Sequence, residues 1–325
     1  MKRFNTRLPG SIQKCRLDEF LLIWLPQVLG EPISKTKIRK LVLAGAVYVN
    51  RHRNKNPTTP LYSGAIVEVY YDEDVMKEGQ PARAEETRMD TSRILFEDEW
   101  LIVVDKPNGL PTQPTVDPFR ANLFDMMKQF LSQRDHVEKP YVGLHHRLDK
   151  DTSGIVMFTK KEEANKGISD LFLQQKIKKT YQCVVWRMPQ SPVYQAGDEF
   201  QIENFLGKIN EKNQNSKFGS VKSGGDYALT QFKVIEDFRD AYWLEASPQT
   251  GRTHQIRVHC SEIGLPIFGD VIYFPAKMFS IIVAPRLLLH AYQLRFQHPI
   301  TQKQIEIECP LPSEFVSLLG TLIKS

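Results

Sequence analysis

The sequence has few cysteines, no long apolar run and no leading hydrophobic segment. Its four cysteines, Cys15, Cys183, Cys260 and Cys309, are scattered through 325 residues without a Cys-x-x-Cys pair. Such usage is typical of reduced cytoplasmic thiols and argues against a disulfide framework. No uninterrupted apolar stretch approaches the roughly 20 residues of a membrane span. No apolar core follows Met1–Asn5 as a secretory signal would require. We therefore expect a cytoplasmic protein with no membrane partner.

Positive charge is concentrated at the start of the chain. The formal net charge is +5, and residues 1–75 account for it, with 12 Lys and Arg against 7 Asp and Glu. Between Ile33 and Lys55 there are seven basic residues and no acidic one. A patch of one sign is the electrostatic footprint of a phosphate-backbone binder, whereas a merely solvated helix face usually mixes both signs. The pattern therefore predicts nucleic-acid binding by this segment.

The basic segment carries the start and stop residues of a small folded module. An amphipathic helix begins at Arg16. Ser34 is a good N-cap for a second helix over residues 35–44, and Gly45 is a natural stop. Short alternating strands are predicted at residues 46–50 and 65–70.

One face of the second helix is predicted to be buried and the other to bind phosphates. The apolar residues that recur at helical spacing are Ile38, Leu41 and Val42. The basic side chains left available for RNA phosphates are those of Lys35, Lys37, Arg39 and Lys40.

This module resembles the S-four-type RNA-binding domain, a small domain named after a ribosomal protein. The likeness rests on Arg16–Asp18, Ser34–Ile38, Gly45–Asn50 and the strand Gly64–Val69, in that order and spacing. It covers residues 13–75, which we predict to form a small basic α/β RNA-binding domain. Residues 76–93 are polar and charged with few apolar anchors, so we expect a linker there.

From Ile94 onward the pattern is typical of one larger domain, residues 94–325. The overall 41% hydrophobic and 25% charged content is ordinary for a globular protein. Strand candidates outnumber helices and do not alternate regularly with them, which argues against a doubly wound sheet. We predict an α+β domain with a largely antiparallel mixed sheet and flanking helices. The helix candidates are residues 122–132, 160–174 and 254–263.

The most distinctive stretch is His-Arg-Leu-Asp-Lys-Asp-Thr-Ser-Gly, from His146 to Gly154. Asp149 follows His-Arg-Leu and precedes a Thr-Ser-Gly turn, after which the apolar run Ile155–Phe158 is strand-like. A carboxylate held at the lip of a strand can act as a nucleophile or a general base. Taken alone, an aspartate that merely caps the turn is the more ordinary interpretation.

Several further stretches together resemble the RluA-type pseudouridine synthases over roughly residues 94–315. They are Asp105–Gly109, the nonamer around Asp149, Lys179–Tyr181, Thr250–His259, Gly264–Asp270, Leu289–Ala291 and Leu294–Pro299. The resemblance implies an isomerase with a pseudouridine synthase-like catalytic domain. Such an enzyme breaks the nitrogen–carbon glycosidic bond of a uridine already in RNA and forms a carbon–carbon bond, without a cofactor or metal.

The resemblance also implies roles for individual residues. Asp149 is expected to act on the sugar, either as a nucleophile or as the base that forms a glycal-type intermediate. Arg252 is expected to pair with its carboxylate, because a planar guanidinium can hold a carboxylate bidentately. Tyr181 is expected to stack on the detached uracil, with Leu289 as part of the pocket wall. Arg147 is expected to fill the space that the target uridine vacates.

A metal site is a weaker interpretation of the histidines. His254 and His259 lie five residues apart, which is not the i, i+4 spacing of helical zinc ligands. No cysteine or carboxylate cluster accompanies them or the other histidines of the matched stretches, so we expect no metal.

We therefore expect an RNA pseudouridine synthase with large-subunit ribosomal RNA as the first substrate choice and transfer RNA as the second. Two other classes stay open: a catalytically silent RNA-binding or ribosome-assembly protein, and a glycosidase that releases the base. Nothing in the sequence requires more than a monomer.

Overall fold

The computed structural model describes residues 2–10, 12–43, 45–50, 52–71, 89–115, 121–209, 217–274 and 284–322. These residues form two compact units, one over residues 2–71 and one from residue 89 onward. Most of the predicted linker at residues 76–93 lies outside the described residues. In the described part of the chain, no helix has both the length and the apolar character needed to cross a membrane.

The first unit combines two helices with two small sheets. Its elements are β1 (Lys2–Arg7), β2 (Lys14–Arg16), α1 (Leu17–Leu29), α2 (Lys35–Leu43), β3 (Val47–Val49), β4 (His52–Asn54), β5 (Pro60–Tyr62) and β6 (Ile66–Tyr71). The strand order is β1-β6-β3-β4 in one sheet, and β2 pairs with β5. Because β1 pairs with β6 from Lys2 to Arg7, the unit begins earlier than the predicted boundary at residue 13.

The structure confirms the predicted second helix and its capping. The Ser34 hydroxyl accepts a hydrogen bond from the backbone N–H of Lys37 at 3.2 Å. Gly45 has φ 73°, the left-handed conformation in which glycine ends a helix without strain. The predicted apolar face is buried against α1 and the sheet, with Ile38, Leu41 and Val42 all in the unit's core.

The second unit is built on one large mixed sheet. Its strands are β7 (Ile94–Glu97), β8 (Leu101–Lys106), β9 (Gly143–Leu144), β10 (Ser153–Thr159), β11 (Lys178–Trp186), β12 (Glu199–Lys208), β13 (Phe218–Ser220), β14 (Asp226–Phe238), β15 (Ala241–Pro248), β16 (Leu289–Gln297) and β17 (Gln304–Glu308). Its helices are α3 (Leu123–Asp135), α4 (Glu163–Leu173), α5 (Gln255–Glu262) and α6 (Ser313–Leu322), with a short 3-10 turn at Thr91–Arg93.

The order in this sheet is β13-β12-β14-β15-β11-β16-β10-β8-β7, with β17 beside β16 and β9 beside β10. Strands β10 and β16 run parallel, whereas the other strand pairs recorded in this sheet are antiparallel. The predicted α+β class with a largely antiparallel mixed sheet is confirmed.

The parallel pairing of β10 and β16 determines where the most distinctive stretch lies. All seven residues of β10 are buried, as expected for a strand covered on both faces. Gly154 pairs with Ala291 of β16 and has φ 108°. A Cβ at this position would overlap the backbone carbonyl and amide of Ala291. Glycine therefore lets β10 approach β16 closely, just after the turn that carries Asp149.

Two buried histidines make the stability of this unit depend on pH. His259 and His290 are both 0% exposed, and burial lowers the pKa of each to about 4, below the unfolded value of about 6.5. Between these values the unfolded chain binds more protons than the folded chain, so stability is lost as the pH falls. We expect the free energy of unfolding, measured by chemical denaturation, to drop between pH 7 and pH 5. A His259→Gln variant should show a shallower drop, and a pH-independent wild type would contradict this assignment.

Candidate active site

The backbone on either side of Asp149 is fixed by side chains from the end of β8 and the segment that follows it. The Thr112 hydroxyl donates to the carbonyl of Leu148 at 2.7 Å and accepts from its N–H at 3.1 Å. The Lys106 ammonium donates to the carbonyl of Lys150 at 3.0 Å. The preceding and following residues are thus both anchored, which restricts where the Asp149 carboxylate can point.

Lys106 is the buried centre of this anchor. It is 0% exposed, and its Nζ also donates to the carbonyls of Pro107 at 2.9 Å and Leu110 at 2.8 Å. Burial lowers the pKa of Lys106 to about 7, while the negative charges of Asp151 and Asp149 favour the protonated form. An ammonium has three protons, and three carbonyl oxygens receive them here. Lys106 lies in the matched stretch Asp105–Gly109, but the sequence predicted no role for it.

The Asp149 carboxylate faces two basic side chains from the start of α5. Its Oδ2 lies 3.5 Å from Nη1 of Arg257 and 3.8 Å from Nε2 of His254. The Asp149 side chain is 28% exposed, whereas that of Arg257 is 3% exposed. The carboxylate can therefore meet a substrate while its cation stays shielded from water, where charge interactions are stronger.

Arg257 is itself held by a second carboxylate. Its Nε and Nη2 donate to the two oxygens of Asp270 at 2.7 and 2.8 Å, a bidentate pair. Asp270 also accepts from the backbone N–H groups of Ile272 and Tyr273. The guanidinium thus lies between one carboxylate that fixes it and another that it can stabilise.

The predicted ion pair between Arg252 and Asp149 was wrong. The Nε of Arg252 donates to the carbonyl of Tyr227 at 2.9 Å, and its Nη1 lies 4.0 Å from an oxygen of Asp226. Arg252 precedes α5, whereas Arg257 lies on a buried turn of it. Arg257 and His254, the residue just before α5, both lie in the matched stretch Thr250–His259, but nothing in that stretch indicated that they rather than Arg252 face Asp149.

Tyr181 lies on β11 at the junction of the unit's two core clusters. Burial raises the pKa of Tyr181, and the charge of Asp149 raises it further, so the phenol is neutral at physiological pH. Ala291 of β16 pairs with Tyr181 on one side and with Gly154 on the other, so Tyr181 lies two strands from the strand that follows Asp149. Tyr181 pairs with Ala291 across β11 and β16, and Leu289 pairs with Cys183 on the same two strands.

The remaining predicted site residues differ in exposure. Leu289 is buried in the core, at 4% exposed. Arg147 is exposed, and its Nη2 lies 3.5 Å from the Thr253 hydroxyl. This contact joins the Asp149 loop to the turn that precedes α5.

In the first unit, the predicted basic surface is solvent-accessible where it is described. Lys35, Lys37 and Arg39 are exposed. Arg39 Nε lies 3.7 Å from the buried carboxylate of Asp18, so part of its charge is balanced within the unit. The side chain of Lys40 lies outside what the structure describes.

No three His, Cys, Asp or Glu side chains in the described ranges are arranged to hold a metal ion. His254 and His259, the pair five residues apart, instead bond to Tyr273 and to Thr230 and Asn204 respectively.

Comparison with known proteins identifies the family of this chain. The family model described as RNA pseudouridylate synthase matches residues 100–262, which include Asp149, Tyr181 and Arg257. A ribosomal large subunit pseudouridine synthase C of Pasteurella multocida is 31% identical over 314 residues, covering 94% of this chain and 90% of that protein. A ribosomal large subunit pseudouridine synthase D of Pseudomonas aeruginosa is 31% identical over 327 residues, covering 97% and 94%.

Another relative, an uncharacterised RNA pseudouridine synthase of Bacillus subtilis, is 32% identical over 295 residues and covers 90% of each chain. Among solved structures, human RNA pseudouridylate synthase domain containing 4 shares the fold, with a TM-score of 0.55 at 23% identity over 74% of this chain and 95% of that chain. The chain therefore belongs to the RluA-type RNA pseudouridine synthases, which are isomerases.

Proposed function

We propose that this isomerase acts on uridines of large-subunit ribosomal RNA and that Asp149 attacks the sugar. The role of Asp149 is supported by the position of its carboxylate, which is partly exposed and lies 3.5 Å from the buried Arg257 guanidinium. A cation beside a carboxylate stabilises its anionic form, and only the anion can act as a nucleophile or base.

The reaction exchanges one bond of the sugar for another. The N1–C1′ bond breaks, and its electron pair stays on the uracil. Asp149 either bonds to C1′ or removes the C2′ proton, and these two routes both remain open. The uracil then turns and C5 bonds to C1′. In the first route the Asp149–C1′ bond breaks as this bond forms, and in the second route C2′ takes its proton back. Finally the proton leaves C5 and N1 gains one.

The detached uracil must rotate without escaping, which requires an apolar surface beside the sugar. Tyr181 is neutral and half-buried, so its ring is suited to stacking on the base. Leu289 would support this wall from β16. The uridine must leave its stack to reach Asp149, at a cost of a few kcal/mol, and the exposed Arg147 is placed to occupy the vacated space.

The choice of ribosomal RNA rests on the relatives. Two proteins about 31% identical to this chain carry names of ribosomal large subunit pseudouridine synthases. Transfer RNA is the second candidate. The paired Asp149 and Arg257 argue against a silent RNA-binding protein, because a protein that only binds RNA does not need a carboxylate poised beside a buried cation.

The first unit would bind the RNA backbone. Exposed Lys35 and Lys37 on α2 have no acidic neighbour within the segment Ile33–Lys55, and such a surface favours phosphate contacts of no sequence specificity. The S-four-type identity of the unit and a monomeric state are part of this proposal.

Asp149→Asn should abolish isomerisation while leaving RNA affinity within a few-fold, because the amide keeps the shape but cannot act as nucleophile or base. We expect tritium release from uridine labelled at C5 to fall by a factor on the order of 10³ or more. Asp151→Asn, two residues away and paired with Lys150 at 3.6 Å, is the matched control and should retain most turnover. Full turnover by Asp149→Asn would refute the assignment.

Arg257→Lys should reduce kcat by about 10²-fold, as loss of one stabilising donor does. Lysine keeps the charge but cannot hold Asp270 bidentately while facing Asp149. Arg252→Lys should cost less, because Arg252 contacts Asp226 and Tyr227. Single-turnover rates of both variants on the same RNA would check this. A larger loss in Arg252→Lys than in Arg257→Lys would favour Arg252 as the partner of Asp149, as the sequence predicted.

Replacing Lys35 and Lys37 together by Gln should flatten the salt dependence of RNA binding. Two lost phosphate contacts reduce the slope of log K against log salt by about 1.5. The comparison is the double replacement of Lys233 and Lys303, exposed lysines of the second unit. Equal slopes in the wild type and the Lys35/Lys37 variant would exclude the first unit's helix as an RNA-contacting surface.

A further inference from the structure

Two hydrogen bonds lead through the Tyr273 hydroxyl to His254, a neighbour of the Asp149 carboxylate. The backbone N–H of Phe218 donates to the Tyr273 hydroxyl at 3.0 Å. The same hydroxyl lies 2.9 Å from Nδ1 of His254. The other ring nitrogen, Nε2 of His254, lies 3.8 Å from Oδ2 of Asp149.

The direction of these bonds follows from the donors. A backbone N–H can only donate, so the Tyr273 oxygen accepts from Phe218. Burial raises the pKa of Tyr273 to about 12, so its hydroxyl keeps a proton to donate. If Nδ1 of His254 were also a donor, the hydroxyl proton of Tyr273 would have no acceptor among the described residues. Tyr273 is only 8% exposed, so such an unpaired proton would be costly. Nδ1 is therefore the acceptor.

This fixes the tautomer of His254. Burial lowers the pKa of His254, against the opposing charge of Asp149, so the imidazole is neutral and carries one proton. With Nδ1 accepting, that proton lies on Nε2 and points toward Asp149. In the other tautomer a nitrogen lone pair would face the carboxylate, which is repulsive.

The ring of His254 is held in this orientation by its neighbours. Phe218 and Tyr273 both meet it edge to face, with centroids 5.9 and 5.6 Å away. Its backbone is left-handed, at φ 56°, because the chain turns sharply into α5 there. Only 15% of the side chain is exposed.

We infer that Tyr273 and His254 are positioning residues for Asp149: Tyr273 selects the tautomer of His254, and the Nε2–H of His254 and the guanidinium of Arg257 both face Oδ2. An N–H of neutral His254 and the charged guanidinium of Arg257, both directed at one oxygen, fix the rotation of the carboxylate. The other oxygen, Oδ1, is then the one presented to the sugar. This inference rests on the proposed role of Asp149.

The first test reads the tautomer directly and needs no substrate. Long-range proton–nitrogen NMR of ring-labelled histidine distinguishes the two tautomers, and loss of one signal set in His254→Gln assigns His254 among the eight histidines. We expect Nε2–H in the wild type and a mixture of tautomers in Tyr273→Phe. An Nδ1–H tautomer in the wild type, or an unchanged one in Tyr273→Phe, would overturn the inference.

The second test reads the coupling to Asp149, also without substrate. The charged groups that act on His254 are Asp149, Arg257, Asp270 and Asp151. Asp149→Asn removes the anion that favours protonated His254, so the NMR titration of His254 should move to lower pH. Asp151→Asn should move it less. A titration unaffected by Asp149→Asn would mean that the two side chains do not interact.

The third test separates positioning from general stability. Tyr273→Phe should lower kcat on the order of tenfold with KM nearly unchanged, because the RNA contacts outside the site are the same in the variant and the wild type. His254→Gln, which keeps an N–H near the Nε2 position, should retain more kcat than His254→Leu, although both bear the same left-handed strain. Equal losses in the two variants would refute positioning by the N–H. A wild type without turnover on any RNA would instead refute the proposed function, and the two NMR tests would still decide the inference.

Discussion

The site depends on one buried cation shared between two carboxylates. Arg257 is nearly inaccessible to water and is held bidentately by Asp270, while one of its nitrogens reaches Asp149. A buried charge without a partner costs several kcal/mol, so the guanidinium must be paired. Asp270 satisfies that requirement by itself. Asp149 can therefore remain partly exposed and available to substrate without leaving the arginine uncompensated.

This arrangement needs the carboxylate and the cation to come from distant parts of the chain. Asp149 lies before β10, and Arg257 lies on α5 after β15. The Asp149 loop is anchored through its own backbone by Lys106 and Thr112, and no anchor of this kind uses the carboxylate. The backbone is thereby held on both sides of Asp149 while its carboxylate stays partly exposed, as a preorganised site requires.

The two nitrogen-bearing side chains that face Asp149 differ in charge. Arg257 supplies a permanent charge, whereas His254 is neutral and supplies an oriented N–H whose direction is fixed by Tyr273. His254 immediately precedes α5 and Arg257 lies in its first turn, so the start of this helix supplies both groups. Tyr181 on β11 completes the site with an apolar ring rather than another charge.

Local pattern was sufficient for the elements and for the class of reaction. The Ser34 cap, the Gly45 stop and the apolar face of α2 were predictable, because each depends on residues near one another in sequence. The turn around Asp149 and the strand after it were also predictable, because they follow one another directly in the sequence. Strand β1 was not predicted, because it is short and mostly polar and is stabilised by pairing with β6.

Only the tertiary structure decided which arginine serves Asp149. Arg252 and Arg257 stand five residues apart in one matched stretch, and sequence cannot say which of them faces a loop about a hundred residues earlier. The direction of each side chain is set by where α5 begins, by the left-handed turn at His254 and by the carboxylate of Asp270. The sequence by itself determined the family and the stretch that carries Asp149, because short contiguous stretches encode them. The partners of Asp149 were decided by the pairing of β10 with β16 and by the packing of α5 against β13, β14 and β15, which local residue patterns do not record.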